Sequence, residues 1–367
     1  MKILILAQTP PPYHGQAIMQ KYLVDAKWDW CEKKHIRLNY SEKISDVGKF
    51  GFSKVITLLT VILKVLKERL KGKIDLIYYP PAGPNRIPFY RDIITLLFIR
   101  RTTNKIVFHF HAGGINKLIE KLNPVEKIFA SLSLGKPDAS IVLLESLKDE
   151  IKWFQSRSVF AVPNGIPDIS KKYIERKNQN PLKLLTVGLI SKEKGIYDII
   201  ATANILKNKK INFEWNILGE FATKGLKEEC EKLFAEQNLT GKIKFDGEIT
   251  GEKKWEFYTA AHIFVFLSYT SEALPVSILE AMMFSLPVVA TDWRSVPGII
   301  SDGVNGLLVP VRNPVKAAEK IELLINNPEI RNTFGKEGRK TYLEKFTLEK
   351  HLAKIEGVIK QIVRNGR

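Results

Sequence analysis

Glu272 and Glu280, with seven residues between them in SEALPVSILEAMMFSLPVVATD, are the side chains of this chain best placed to do chemistry. An ionised carboxylate only accepts hydrogen bonds, so a pair of them suits a ligand rich in hydroxyls. Pro275 lies between them, and a proline in a first helical turn loses nothing by lacking an N–H. The pattern predicts a helix from about Pro275 to Ser285, whose free backbone N–H groups would face an anion such as a diphosphate. Glu272 would stand in the loop at the helix mouth, and Glu280 would lie over a turn deeper. Hydroxyl-binding carboxylates beside a diphosphate suit a nucleotide-sugar site. The plainer reading is an amphipathic helix with two solvated glutamates.

Other polar groups fall at the ends of strand-like runs. FHFHAGG places His109 and His111 at such an end, and strand alternation puts both on one face. His109 reads as a packed core histidine. His111, nearer the open end, could donate to a sugar hydroxyl or carry charge in a transition state. Two His at i and i+2 could also hold a metal, but no carboxylate or thiolate ligand lies in the local sequence. In GLISKEKG, Gly188 to Gly195, Lys194 offers an ammonium to a phosphate. The loop Thr9-Pro10-Pro11-Pro12-Tyr13-His14-Gly15-Gln16 joins the first strand to the first helix, and Gly15 lets backbone approach a ligand closely. FDGEI, Phe245 to Ile249, is a loop of similar placement.

Strand-like and helix-like runs alternate along the chain, which predicts an α/β fold with parallel, doubly wound sheets. KILILAQ, KIDLIYYP, NKIVFHFH, ASIVLL and SVFAVPNG form a first set; LKLLTVGLI, NFEWNILG, KIKFDGEI, HIFVFLS and PVVAT form a second. Helix-period segments such as Ser53–Lys71 and Pro124–Leu134 lie between strands. A length of 367 residues fits two domains. The expected division is residues 1–168, a polar linker at 169–181, and a second domain at 182–345. A final helix, 346–367, has one apolar face (Leu348, Leu352, Ile355, Ile359 and Ile362) that would pack back toward the first domain.

The composition is globular, with 45% hydrophobic and 26% charged residues. Two cysteines, Cys31 and Cys230, suit a reducing, cytoplasmic setting. MKILILAQTPPP does not read as a signal peptide, and no apolar run approaches the roughly 20 residues of a spanning helix. Of the net charge of +18, most sits in residues 1–178, where 30 Lys and Arg face 16 Asp and Glu. Val55–Lys73 and Asp92–Lys105 are both basic and apolar. They read either as a surface for anionic lipid head groups or as core helices with solvated cationic ends. No nucleic-acid motif with interleaved aromatics accompanies the charge, which argues against nucleic acid as a partner.

The stretch around Glu272 and Glu280 resembles the donor-site signature of retaining glycosyltransferases of family 4 (GT-B fold, glycosyl transferases group 1). The resemblance is strong over residues 180–345 and continues in the first half through Gly15, His111 and VPNGI, Val162 to Ile166. It implies a GT-B architecture, with two Rossmann-like domains facing across a cleft, the first for the acceptor and the second for the donor. It implies that His111 and Glu272 are the catalytic residues at the donor sugar. Donor binding would fall to Gly15, Gln16, Gly188, Lys194, Gly247, Ile249, Ala273, Leu274, Val276 and Glu280. Three positions depart from the family pattern: Gln16 stands where a second Gly is common, Leu189 where an Arg is usual, and Gly298 where a Glu is usual. The implied reaction is retaining transfer from a nucleotide sugar, UDP- or GDP-linked, to a saccharide hydroxyl. No metal or other cofactor is implied, and the chain has no Asp-x-Asp pair. The setting would be bacterial surface polysaccharide synthesis (lipopolysaccharide, capsule or exopolysaccharide). The acceptor would be polyprenyl-diphosphate-linked, at the inner face of an anionic plasma membrane. A nucleotide-sugar epimerase, a glycogen-phosphorylase-like enzyme and a non-catalytic relative binding lipid or a partner are the alternatives.

Overall fold

The computed structural model describes residues 1–11, 15–38, 40, 51–172 and 181–364. The chain forms two compact units. The first is Met1–Gly165 with Ser271–Leu274 and Glu349–Arg367; the second is Ile166–Thr270 with Pro275–Leu348.

The first unit runs β1 (Lys2–Ala7), α1 (Gly15–Asp25), β2 (Glu32–Arg37), α2 (Phe52–Leu70), β3 (Leu76–Tyr79), α3 (Arg86–Ile99), β4 (Ile106–His109), α4 (Ile115–Glu120), α5 (Pro124–Leu134), β5 (Ala139–Val142) and β6 (Val159–Ala161). Its six parallel strands lie in the order β2-β1-β3-β4-β5-β6. Every position of β3, β4 and β5 is buried, which requires cover on both faces. On one face Ile5, Tyr78, Val107 and Ile141 pack with Ile355 and Ile359 of the C-terminal helix. Against the other face lies α3, where Asp92 accepts a 2.8 Å hydrogen bond from the Tyr79 hydroxyl. α5 begins in a capping box, with Asn123 and Glu126 each accepting from the other's backbone N–H. The sequence reading missed β2 because EKKHIR is an edge strand, buried only at Ile36, with no apolar run to announce it.

The second unit runs β7 (Leu182–Val187), α6 (Ile196–Asn208), β8 (Phe213–Leu218), α7 (Lys224–Glu236), β9 (Ile243–Gly247), α8 (Glu252–Ala260), β10 (Ile263–Phe266), α9 (Val276–Met283), β11 (Val288–Thr291), β12 (Gly306–Val309), α10 (Pro314–Asn326) and α11 (Pro328–Lys345). The C-terminal helix α12 (Leu348–Arg364) follows. The strand order is β12-β11-β10-β7-β8-β9, so the winding reverses between β7 and β10. Residues of α6, α7 and α10 share one core with Leu184, Trp215, Ile217 and Val265. Phe264, of opposite parity to Val265, stacks on Tyr258 of α8 instead. β12 also went unread: GLLV is short, and only its pairing with β11 makes it a strand.

The helix expected from Pro275 to Ser285 is shorter. Pro275 is the N-cap, with φ −72° and ψ 110°, and α9 spans Val276–Met283. An N-cap residue has extended dihedrals, and the residue before the helix proper needs no N–H in the helical ladder, so the proline is tolerated there too. Ser285, at φ +55°, turns the chain away two residues past the end.

At the reversal, backbone meets backbone. Gly195 caps α6 at φ +81°, and a Cβ there would lie 2.2 Å from the Leu267 carbonyl oxygen. Gly195→Ala is therefore expected to cost roughly 2 kcal/mol or more, through both the clash and the left-handed backbone. Urea unfolding would measure it; unchanged stability would contradict the close approach.

Candidate functional site

Open α/β sheets bind ligands beyond the carboxyl ends of their strands, where the strand order reverses. In the second unit that place is the ends of β7 and β10. A recess open to solvent lies there; Thr186, Gly188, Leu189, Ser191, Lys194 and Phe266 are among its lining residues. Backbone packs tightly at Gly188, because a Cβ at Gly219 would come within 1.9 Å of the Gly188 carbonyl oxygen. Ser191 orders the loop: its hydroxyl donates to Glu193 (3.0 Å) and accepts from the Lys194 N–H (3.2 Å). The Lys194 ammonium stands 5.8 Å from the Phe266 ring centroid. No side chain caps α6 at this point. The recess thus combines a helix N-terminus with a cation, which favours an anionic ligand.

Glu280 lies on α9 and is 6% exposed. A carboxylate so buried needs partners. Lys254 donates to one oxygen at 2.6 Å and Tyr258 to the other at 2.7 Å. These two residues sit at i and i+4 on α8, so both reach the same side of the helix. Burial, and then the charge of Glu280, pushes the Tyr258 phenol well above its ordinary range, so Tyr258 remains a donor. Each carboxylate oxygen retains a lone pair for a further hydrogen bond. Trp255, Tyr258 and Phe284 stack around the group. Of the remaining predicted residues, Gly247 ends β9, exposed and at φ +75°, and Ile249 is half-buried in the loop beyond. Val276 opens α9, half-buried.

In the first unit Gly15 starts α1, exposed, and Gln16 follows, half-buried; residues 12–14 of that loop lie outside the described residues. His109 is buried at the end of β4 and shares a 2.5 Å hydrogen bond with the Tyr78 hydroxyl through Nδ1. Its ring centroid is 4.0 Å from that of half-buried His111 and 6.3 Å from that of His351 on α12. Burial, reinforced by His111 and His351, holds His109 well below the usual imidazole range. His351 donates from Nδ1 to the Pro163 carbonyl at 2.7 Å, and burial pushes its pKa down to about 4.

The Ser271–Leu274 segment groups with this first unit, and Ser271 lies against Gly114 just past β4. Glu272, half-buried, and Ala273 and Leu274, both buried, are therefore in the unit that holds His111. Glu280 is in the other unit. Sequence reasoning missed Lys254, Tyr258 and Ser191. The i, i+4 spacing of the first two was readable, but nothing in the chain announced that α8 would pack against α9. Among the described residues, no three His, Cys, Asp or Glu side chains gather as metal ligands.

The family described as Glycosyl transferases group 1 matches residues 169–341. A curated relative, the uncharacterized glycosyltransferase MJ1069 of Methanocaldococcus jannaschii, is 25% identical over 294 residues, 75% of this chain and 73% of that protein. The capsular polysaccharide biosynthesis glycosyltransferase CapM of Staphylococcus aureus is 30% identical over 179 residues, 49% of this chain and 46% of CapM. The solved structure of Anabaena Alr3699/HepE in complex with UDP and glucose superposes with a TM-score of 0.72 at 15% identity, covering 98% of this chain and 100% of that one. That likeness establishes the fold of the two parallel-sheet units as GT-B.

The buried imidazoles make stability depend on pH. The depressed folded-state pKa of His351, about 4 against the ordinary value of 6.5, means the unfolded chain binds more protons between those values. Stability is therefore full above about pH 6.5 and falls as pH drops, by about 3 kcal/mol from this group by pH 4. His109 acts in the same direction. Urea unfolding at pH 7.5 and 5 is expected to show the loss, and His351→Asn to reduce it; equal slopes in the two proteins would refute the assignment.

Proposed function

Because residues 169–341 match the group 1 glycosyltransferases, we propose that the chain transfers a sugar from a nucleotide-diphosphate donor to a saccharide hydroxyl with retention at the anomeric carbon. The observation that carries this reading is the recess at the β7/β10 reversal, lined by Gly188 and Lys194. The diphosphate lies there, with Lys194 and the head of α6 neutralising it. Glu280, held by Lys254 and Tyr258, accepts from the ribose hydroxyls. Gly247 and Ile249 border the base, and Ala273, Leu274 and Val276 present backbone at the mouth of α9. Gly15, Gln16, His111 and Glu272 are the residues assigned to the donor sugar.

In the transfer, the bond between the anomeric carbon and the diphosphate oxygen breaks, leaving an oxocarbenium-like ion pair. The acceptor oxygen attacks from the same face, and its proton passes to the departing diphosphate. No protein nucleophile is required. Neutralising charge comes from Lys194 and helix N-termini, without a metal. Leu189, exposed at the recess where the family has Arg, gives up a bidentate phosphate contact and leaves more of the grip to Lys194. CapM's role in capsule synthesis and HepE's binding of UDP favour a uridine-linked donor and a surface-polysaccharide product. The acceptor is carried on a polyprenyl diphosphate at the inner membrane face.

A thermal-shift screen with UDP, GDP and their sugars tests the donor site. The matching nucleotide at 100 times its Kd adds about 2.7 kcal/mol of stability. Glu280→Gln and Lys194→Met are each expected to weaken it about tenfold or more. If no nucleoside diphosphate raises the melting temperature, the reading fails. With donor and acceptor in hand, His111→Ala is expected to lower kcat about a hundredfold with little change in donor affinity. NMR of the product is expected to show the donor's anomeric configuration.

A further inference from the structure

Helices α2, α3 and α5 of the first unit are apolar on two sides. Inward, α2 buries Leu58, Val61 and Val65, while α3 buries Phe89, Ile93 and Leu96. Outward, α2 exposes Val55, Ile56, Leu59, Leu63 (65%), Leu66 and Leu70 (88%). α3 exposes Ile87, Ile94, Leu97 and Phe98 (60%), and α5 exposes Val125, Ile128, Phe129 and Leu132 at i, i+3, i+4 and i+7. α3 packs beside both α2 and α5, so the three outer stripes adjoin. Most of the exposed large apolar side chains among the described residues lie on these three helices. A soluble helix normally turns a polar face outward, and a contiguous apolar patch of this kind marks an interaction surface.

The charges of the surface decide its partner. Lys64, Lys67 and Arg69 stand exposed among the α2 leucines, and Arg101 is exposed beyond α3. The acidic residues of the same helices are already engaged. Glu68 pairs with Lys2 (2.5 Å) and Lys71 (2.7 Å), Asp92 with Arg91 (2.7 Å), and Glu126 accepts from Tyr90 (2.5 Å). The patch therefore presents apolar groups and cations together. A second copy of the same patch would set like charges against one another. No helix among the described residues is long and apolar enough to cross a membrane.

We infer that the outer face of α2, α3 and α5 docks on an anionic lipid bilayer, its apolar side chains entering the head-group boundary and its Lys and Arg meeting lipid phosphates. The assignment rests on the proposed function only for the position of a lipid-linked acceptor; the surface itself is separate from the donor recess.

Sedimentation of the full chain with phosphatidylglycerol or phosphatidylcholine vesicles tests it. Partition is expected to favour the anionic vesicles by about tenfold or more and to weaken as salt is raised. Leu63→Ser/Phe98→Ser/Phe129→Ser is expected to reduce binding to anionic vesicles about tenfold or more. Lys64→Ser/Lys67→Ser/Arg69→Ser is expected to remove most of the preference for anionic lipid. Both variants should melt like the parent and keep its nucleotide-induced thermal shift, which separates this test from that of the donor site. Equal partition into both vesicle types, or unchanged binding by the apolar variant, overturns the inference. So does a lipid-free dimer that the same three apolar substitutions dissolve, since the face would then be a protein interface.

Discussion

The reversal of strand order between β7 and β10 is the constraint on which the donor-side arrangement depends. Connections leaving the two strands depart to opposite faces of the sheet, so no helix closes over the strand ends between them. Backbone packs closely on backbone there, with Gly195 against Leu267 and Gly219 against Gly188. Any side chain at those two glycines would occupy the room that the loops need. The Ser191–Lys194 turn, its ammonium and the uncapped start of α6 are all set by that contact.

A second layer of order comes from burial. Glu280 is held on α9 in surroundings that would penalise a lone carboxylate, and Lys254 and Tyr258 satisfy it from α8. The two donors fix the carboxylate's orientation, and a fixed acceptor recognises hydroxyls better than a mobile one. In the first unit burial works on neutral groups instead. His109, His111 and His351 lie close together, and burial keeps His109 and His351 uncharged.

The helices α2, α3 and α5 show the opposite economy. Their inner faces cover the sheet, as any α/β protein requires, yet their outer faces keep leucine, isoleucine and phenylalanine in water. That arrangement raises the risk of aggregation, and it is intelligible only if the outer faces have a use. The same segments carry part of the basic excess of residues 1–178, so apolar and basic features meet on one surface.

Much of the fold was legible in the chain. The apolar runs of β1, β3, β4, β5, β7, β10 and β11 and the periodic faces of α2, α5 and α12 announce themselves, because a doubly covered strand and an amphipathic helix each need a local pattern. The resemblance around Glu280, carried by residues contiguous in sequence, pointed to the family that matches residues 169–341. Edge strand β2 and four-residue β12 were not legible, since pairing with a neighbour, not composition, makes them strands. Nor were the partners of Glu280, which come from another helix, or the grouping of Ser271–Leu274 with His111 instead of with Glu280. The sequence by itself determined the core strands, the amphipathic helices and which residue types could meet a sugar and a diphosphate. Tertiary structure alone decided which helix face meets water and which donors meet a buried carboxylate, because both depend on contacts between segments that no local pattern encodes.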